Sequence, residues 1–134
     1  MGNPAWRSAL AGALLRLANE RGGNGDQAGQ IRDLTEAVRI YRRLINDPDT
    51  AKFQKTGFAS GPDLIALTQA NFAHAVFMLI EVTNNDRRYV SAALIQQSLD
   101  FLDQASQSGR ETEYVVATRD RLYLPLSNAL AQKP

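Results

Sequence analysis

Three observations predict an all-α domain of five or six antiparallel helices for this 134-residue chain. Residues 64 to 82 form its most apolar run, and Ser60-Gly61-Pro62-Asp63 in front of it supply a proline for the first turn and a carboxylate for the positive end of the dipole. Other segments carry apolar residues at spacings of three and four, the mark of helices with one buried face. Finally, two pairs of these segments align with each other, as stacked copies of one helix pair do.

The first helix is predicted from Pro4 to Arg21, with Asn3 as cap and Pro4 in the first position. Trp6, Leu10, Leu14 and Leu17 share one face, which places Trp6 in the core. Gly22 to Gly29, with four glycines in eight residues, ends this helix. It does not read as a phosphate loop, because it follows no strand and carries no Lys-Ser or Lys-Thr pair. The second helix runs from Gln30 to Asn46 with Ile31, Leu34, Val38, Tyr41 and Ile45 inward and Arg32, Asp33, Glu36, Arg39, Arg42 and Arg43 outward. Glu36 compensates Arg32 and Arg39 in part. Arg39, Arg42 and Arg43 therefore form a secondary basic patch, either a solvated face or a seat for an acidic partner.

Asp47-Pro48-Asp49 stops the second helix. A short turn from Pro48 to Lys55 follows, closed by Gly57, inside a connector that Phe53 and Phe58 should pack back onto the body. The central helix shows polar groups only at Thr68, Gln69, Asn71, His74 and Glu81, scattered round its barrel, so other helices should enclose it. Asn84-Asn85-Asp86 makes a turn before a fourth helix from Arg87 to Gln107. That helix buries Val90, Leu94, Phe101 and Ala105, flanked by Ile95, Leu99 and Leu102, and Gly109 is its left-handed cap. A fifth helix from Glu111 turns Val115, Thr118, Leu122, Leu126 and Ala129 inward, with Pro125 kinking or splitting it. The tail from Gln132 to Pro134 should fray. The whole is one domain: repeat one over 4–46, a connector over 47–61, repeat two over 62–108 and a capping helix over 111–131.

Composition removes several function classes. Cysteine is absent, which excludes disulfides and thiolate metal sites. Net charge is +1, with 15 basic against 14 acidic side chains, too even for a nucleic-acid partner. The N-terminus has no basic segment followed by an apolar run, so the expected location is the cytoplasm. The central run approaches a membrane span in length, but its five polar side chains and the lack of flanking basic clusters argue against a membrane partner. His74 is the only histidine, which leaves no two-histidine metal site. The acid pairs Asp47/Asp49, Asp100/Asp103 and Glu111/Glu113 fall on turns or wet faces, and no nucleophile elbow is present. The expectation is no enzyme, no metal and no cofactor.

Leu10-Ala11-Gly12-Ala13-Leu14 aligns with Phe72-Ala73-His74-Ala75-Val76, carrying Leu17 onto Leu79, and Leu34-Thr35-Glu36-Ala37-Val38 aligns with Val90-Ser91-Ala92-Ala93-Leu94. With Asn19-Glu20-Arg21 before the glycine-rich turn, and the run from Leu34 to Ile45, the chain resembles the tetratricopeptide repeat family. The likeness is to the long-turn variant found beside caspase-like CHAT domains, and it covers about residues 5–46 and 67–102. Asn71-Phe72-Ala73 and Asn85-Asp86 fit the second copy. Gln97 stands where the family usually has an aromatic, and the closing proline is seen at Pro48 but not after the fourth helix.

The resemblance implies either a right-handed helical repeat or a compact bundle that binds another protein or peptide. The implied groove is lined by Ala5, Ser8, Gly12, Leu15 and Arg16 in one copy and by Leu67, Ala70, His74, Phe77 and Met78 in the other. Leu67, Phe77 and Met78 would be its apolar anchors, while Asn71, His74 and Arg16 would supply hydrogen bonds or charge. The groove lacks the lysine and asparagine pattern that clamps a C-terminal carboxylate. Two copies are fewer than the roughly three a solenoid needs to stand alone. Either the fifth helix caps the stack or a second chain completes it. The alternatives are a homodimeric scaffold, a small-ligand-binding helical bundle, or a piece of a longer repeat protein.

Overall fold

The protein was analysed as a computed structural model that describes residues 4–53, 61–107 and 112–132, and every regular element among them is an α-helix. In chain order these are α1 (Pro4–Gly23), α2 (Gln27–Asn46), α3 (Pro48–Phe53), α4 (Gly61–Thr83), α5 (Ala92–Gln107) and α6 (Glu113–Ala131). The all-α class predicted from sequence is the observed one. Asn3, Lys55, Gly57, Phe58 and Gly109, and the side chains of Ala5 and Phe53, lie outside the described residues, as do the expectations placed on them.

The first copy turns tightly. The Asp26 amide donates to the Arg21 carbonyl at 2.8 Å and the Gly25 amide to Gly22 at 3.1 Å. Gly25 sits between them at φ +78°. This paired pattern, with a left-handed residue just past the helix, satisfies carbonyls that the helix end would otherwise leave open. It lets α1 continue to Gly23 and α2 start at Gln27, so the predicted boundaries at Arg21 and Gln30 were too conservative. Asp26 then caps α2, its side chain accepting from the Gly29 amide at 2.9 Å. Gly29 has to be bare, because a side chain there would meet the Asp26 carboxylate and come within 2.8 Å of Arg21 Cδ. Above it, Arg21 Nε donates to the buried Asp33 at 2.6 Å and Nη1 to Asp26 at 3.1 Å, locking α1 to α2.

The second copy ends its first helix in the same way, with asparagine in place of glycine. The Asn85 amide donates to Ile80 at 2.7 Å, and Asn84 and Asn85 stand at φ 54° and 58°. Asparagine is among the few side chains that tolerate this region. After it the chain does not resume a helix at Arg87 as predicted. Asp86 folds back to accept from the Arg88 amide at 2.9 Å, and Ser91 Oγ accepts from Leu94 at 3.1 Å to start α5. Two left-handed residues in succession redirect the chain, and the delay leaves a turn over 84–91.

The helices stack in succession: α1 on α2, α2 on α4, α4 on α5 and α5 on α6, with α6 also touching α4 and α3 docking on α4 and α1. Phe72 packs edge-on against Phe101, 5.0 Å between centroids, inside a core that includes Leu34, Tyr41, Leu79, Ile95, Leu102, Leu122 and Leu126. By length and composition α4 could cross a membrane, but here it is wrapped by α2, α3, α5 and α6. The inward sets predicted for α2, α5 and α6 are buried or packed on the core. Pro125 does not split α6, which runs unbroken through it.

The face of α1 is a correction. Ala11 and Ala18 are its fully buried positions, with Leu14 and Leu15 packed beside them, while Trp6, Leu10 and Leu17 are 57%, 38% and 37% exposed. Alanine lets the two backbones approach closely, and among the described elements α1 packs mainly on α2 and, less, on α3. The aligned pairs Leu10/Phe72 and Leu17/Leu79 are therefore equivalent in sequence but not in burial.

Candidate functional site

From Leu67 to Met78 every residue of α4 is buried except Leu67, Asn71, His74, Phe77 and Met78. These five recur at helical spacing along one flank, which α6 meets at Asn71 and His74. Of the implied groove residues on α1, which packs on α2 and α3, Arg16 is exposed and Ser8, Gly12 and Leu15 are half-buried. Arg16 lies over Gly12, where an added side chain would sit 3.8 Å from Arg16 Nη1. Ala70, the other implied groove residue, is fully buried and lines nothing.

The α6 wall was not legible in the sequence. Tyr114 donates its hydroxyl to Asn71 Oδ1, and Arg121 Nη2 donates to His74 Nδ1 at 3.3 Å. The seven-residue spacing of Tyr114 and Arg121 puts both on one side of α6, away from the inward set, and that spacing was the available signal. Arginine can only donate, so Nδ1 accepts and the imidazole carries its proton on Nε2. Burial, and secondarily the Arg121 charge, hold His74 below its ordinary pKa. Tyr41 of α2 reaches this region too. Burial and Tyr114 push its phenol up to about 12 against a lowering influence of Arg16, so both walls converge on it.

Two arginines of the basic patch on α2 line a second region. Thr35, Val38, Arg39 and Arg42 join Leu79 of α4, Arg87, Arg88, Tyr89 and Ser91 of the turn, and Leu94 of α5 around a cleft of 360 Å³. Arg43 projects away from it and is not part of the lining. Arg39 is held by both oxygens of Glu36 at 2.8 and 2.6 Å. Arg42 Nε donates to Gln97 Oε1 at 3.1 Å, with its guanidinium carbon 5.7 Å from the Phe72 ring centroid. Gln97, the departure from the family pattern, is thus the residue that positions Arg42.

The turn that supplies Arg87 and Arg88 is anchored to the end of α6. Arg87 Nη2 donates to the Ala129 and Gln132 carbonyls, both at 2.8 Å, and Asn85 Nδ2 donates to Ala129 at 3.0 Å. These donors meet carbonyls left open at the helix C-terminus, where positive charge is favoured. Arg88 pairs with Asp86 at 2.7 Å, and this contact is the main reason the Asp86 carboxyl is held below the usual range.

Among the described residues no group of histidine and carboxylate side chains has the arrangement to hold a metal ion. Comparison with family models, curated proteins and solved structures found no match. Function is read here from these two surfaces alone.

Proposed function

We propose that the domain is a protein–protein interaction module of tetratricopeptide-like build, binding a polypeptide segment along the face between α1, α4 and α6. The observation that carries this reading is the pattern on α4: between Leu67 and Met78 the helix is buried except for Leu67, Asn71, His74, Phe77 and Met78, which are half-buried in one row. Leu67, Phe77 and Met78 give it apolar anchors, and methionine adapts its shape to varied partners. Asn71, His74, Ser8 and Arg16 offer polar contacts along the rim. Neither catalysis nor a cofactor enters this reading.

The test is to select peptides against the protein from a displayed random library and compare their affinity for wild type and Phe77→Glu. An anchor buried at the centre of an interface is worth ~2 kcal/mol, so binding should weaken by at least about tenfold. Far-UV circular dichroism should stay unchanged. Binding as tight to a fully helical Phe77→Glu protein refutes the assignment. A second reading, a homodimeric scaffold, draws on the outward apolar row of Trp6, Leu10 and Leu17 on α1. A mass in solution that stays monomeric across a concentration series removes it.

A further inference from the structure

We propose that the cleft between α2 and the 84–91 turn is a binding site for an organic phosphate monoester, gripped by Arg42 and Arg88. This site shares no lining residue with the peptide face and stands or falls independently of it. The 360 Å³ cleft lies within the roughly 300–1,000 Å³ of small-molecule sites. Its guanidinium groups come from two separate elements, which makes it a cleft rather than one solvated helix face.

The donors that remain select the ligand. Four arginines, at 39, 42, 87 and 88, line the cleft, and two carboxylates, Glu36 and Asp86, pair with two of them. Neither Arg42 nor Arg87 has an ion pair among the described residues, but Arg87 is committed to the open carbonyls of α6 and to Asn85, so Arg42 is the cation left without a carboxylate or a helix end. A phosphate monoester brings nearly two negative charges and three strong acceptor oxygens. A carboxylate or a phosphodiester presents only two free oxygens to share among Arg42, Arg88 and the rim hydroxyls. Asp100 lines an adjoining cavity of 470 Å³ that shares Arg42, Ser91 and Leu94 with this one, and there it accepts from Gln96.

Arg42 is prepared for this role. Its Nε is held by Gln97 and its plane lies near the Phe72 ring, while its two terminal nitrogens have no protein acceptor among the described residues. A guanidinium fixed in this way presents a fork matched to phosphate oxygens with little entropy left to lose. Arg88 is 81% exposed; Asp86 holds its Nε and Nη2, and Nη1, with no partner among the described residues, is left to donate to the ligand. Thr35 and Ser91 add hydroxyls at the rim. Val38, Leu79 and Leu94 form an apolar floor for the organic part, so an aryl or alkyl ester should bind better than inorganic phosphate.

The experiment titrates the full chain with phenyl phosphate, benzoate and diphenyl phosphate, following backbone amide shifts by NMR. Phenyl phosphate should bind most tightly, with shifts centred on Thr35, Arg88, Ser91 and Leu94. Arg42→Gln should weaken it by at least about tenfold and Arg88→Gln by about threefold, while Arg43→Gln, the same charge change just outside the lining, leaves it within about twofold. If Arg42→Gln fails to fold, the exposed Arg88 variant carries the test. A phosphotyrosyl peptide and its unphosphorylated form make the last arm: tighter binding of the former than of phenyl phosphate assigns a polypeptide source, and equal binding assigns a small free ester. The proposal is overturned if no ester binds, if benzoate or diphenyl phosphate binds as well, or if Arg43→Gln weakens binding as much as Arg42→Gln.

Discussion

Placing a lysine at Leu10 or at its neighbour Ala11 decides which face of α1 meets the core. Ala11 is fully buried against α2. A lysine there must either lose its proton, costing about 4–5 kcal/mol at neutral pH from an ordinary pKa near 10.4, or force the helices apart, costing several kcal/mol in lost packing. Leu10 is 38% exposed. There the lysine stem keeps covering most of the surface the leucine covered, the ammonium reaches water, and the loss should be only ~1 kcal/mol. Both variants gain one positive charge on adjacent residues, so global charge cancels in the comparison. Urea denaturation followed by far-UV circular dichroism reads the difference, provided the slopes with denaturant agree. We expect Ala11→Lys to lose at least about 4 kcal/mol, a large part of the 5–15 kcal/mol typical of a domain, and Leu10→Lys to stay near wild type. Ala11→Lys within about 1 kcal/mol of wild type, with Leu10→Lys losing more than about 3 kcal/mol, would show that the leucine row is the core face.

Two further outcomes follow from the core and the groove. Phe72→Ala removes a fully buried ring and its edge-on partner contact with Phe101. It should cost ~4 kcal/mol and lower the melting temperature by roughly 10–20 °C, and a loss under about 2 kcal/mol would mean that the ring is not central. His74 has a folded-state pKa below the ordinary 6.5. Between those two values the unfolded chain binds the proton more readily, so stability is full above pH 6.5 and declines as the pH falls from there through the folded-state value. His74→Gln should flatten that decline, and an NMR titration midpoint for His74 at or above 6.5 would contradict the burial described here.

The helices themselves, the inward faces of α2, α5 and α6, and the central place of α4 were all written in the sequence. Apolar spacing reports on a helix's own geometry, and helices with one clear apolar stripe leave a single way to turn. The half-buried positions on α4 were named only through the family resemblance, whose groove set also held Ala70, a fully buried residue. In α1 apolar residues ring the barrel, so spacing alone offered two faces and size favoured the wrong one. Only contact with α2 showed that small Ala11 and Ala18 permit the closer approach, leaving Trp6, Leu10 and Leu17 outside.

Both candidate sites also needed the tertiary structure, because each is completed by a segment remote in sequence. Nothing near Asn71 or His74 in the chain points to Tyr114 or Arg121, which arrive when α6 packs on α4. The spacing of Arg39, Arg42 and Arg43 suggested one patch. The fold divides it, because two left-handed asparagines bend the 84–91 turn back toward α2 and bring Arg87 and Arg88 beside the first two and not the third. Local sequence determined what each helix is and which side of most of them is apolar. Which polar groups meet across the gaps was decided by packing, since it depends on where each helix lies against its neighbours rather than on its own repeat.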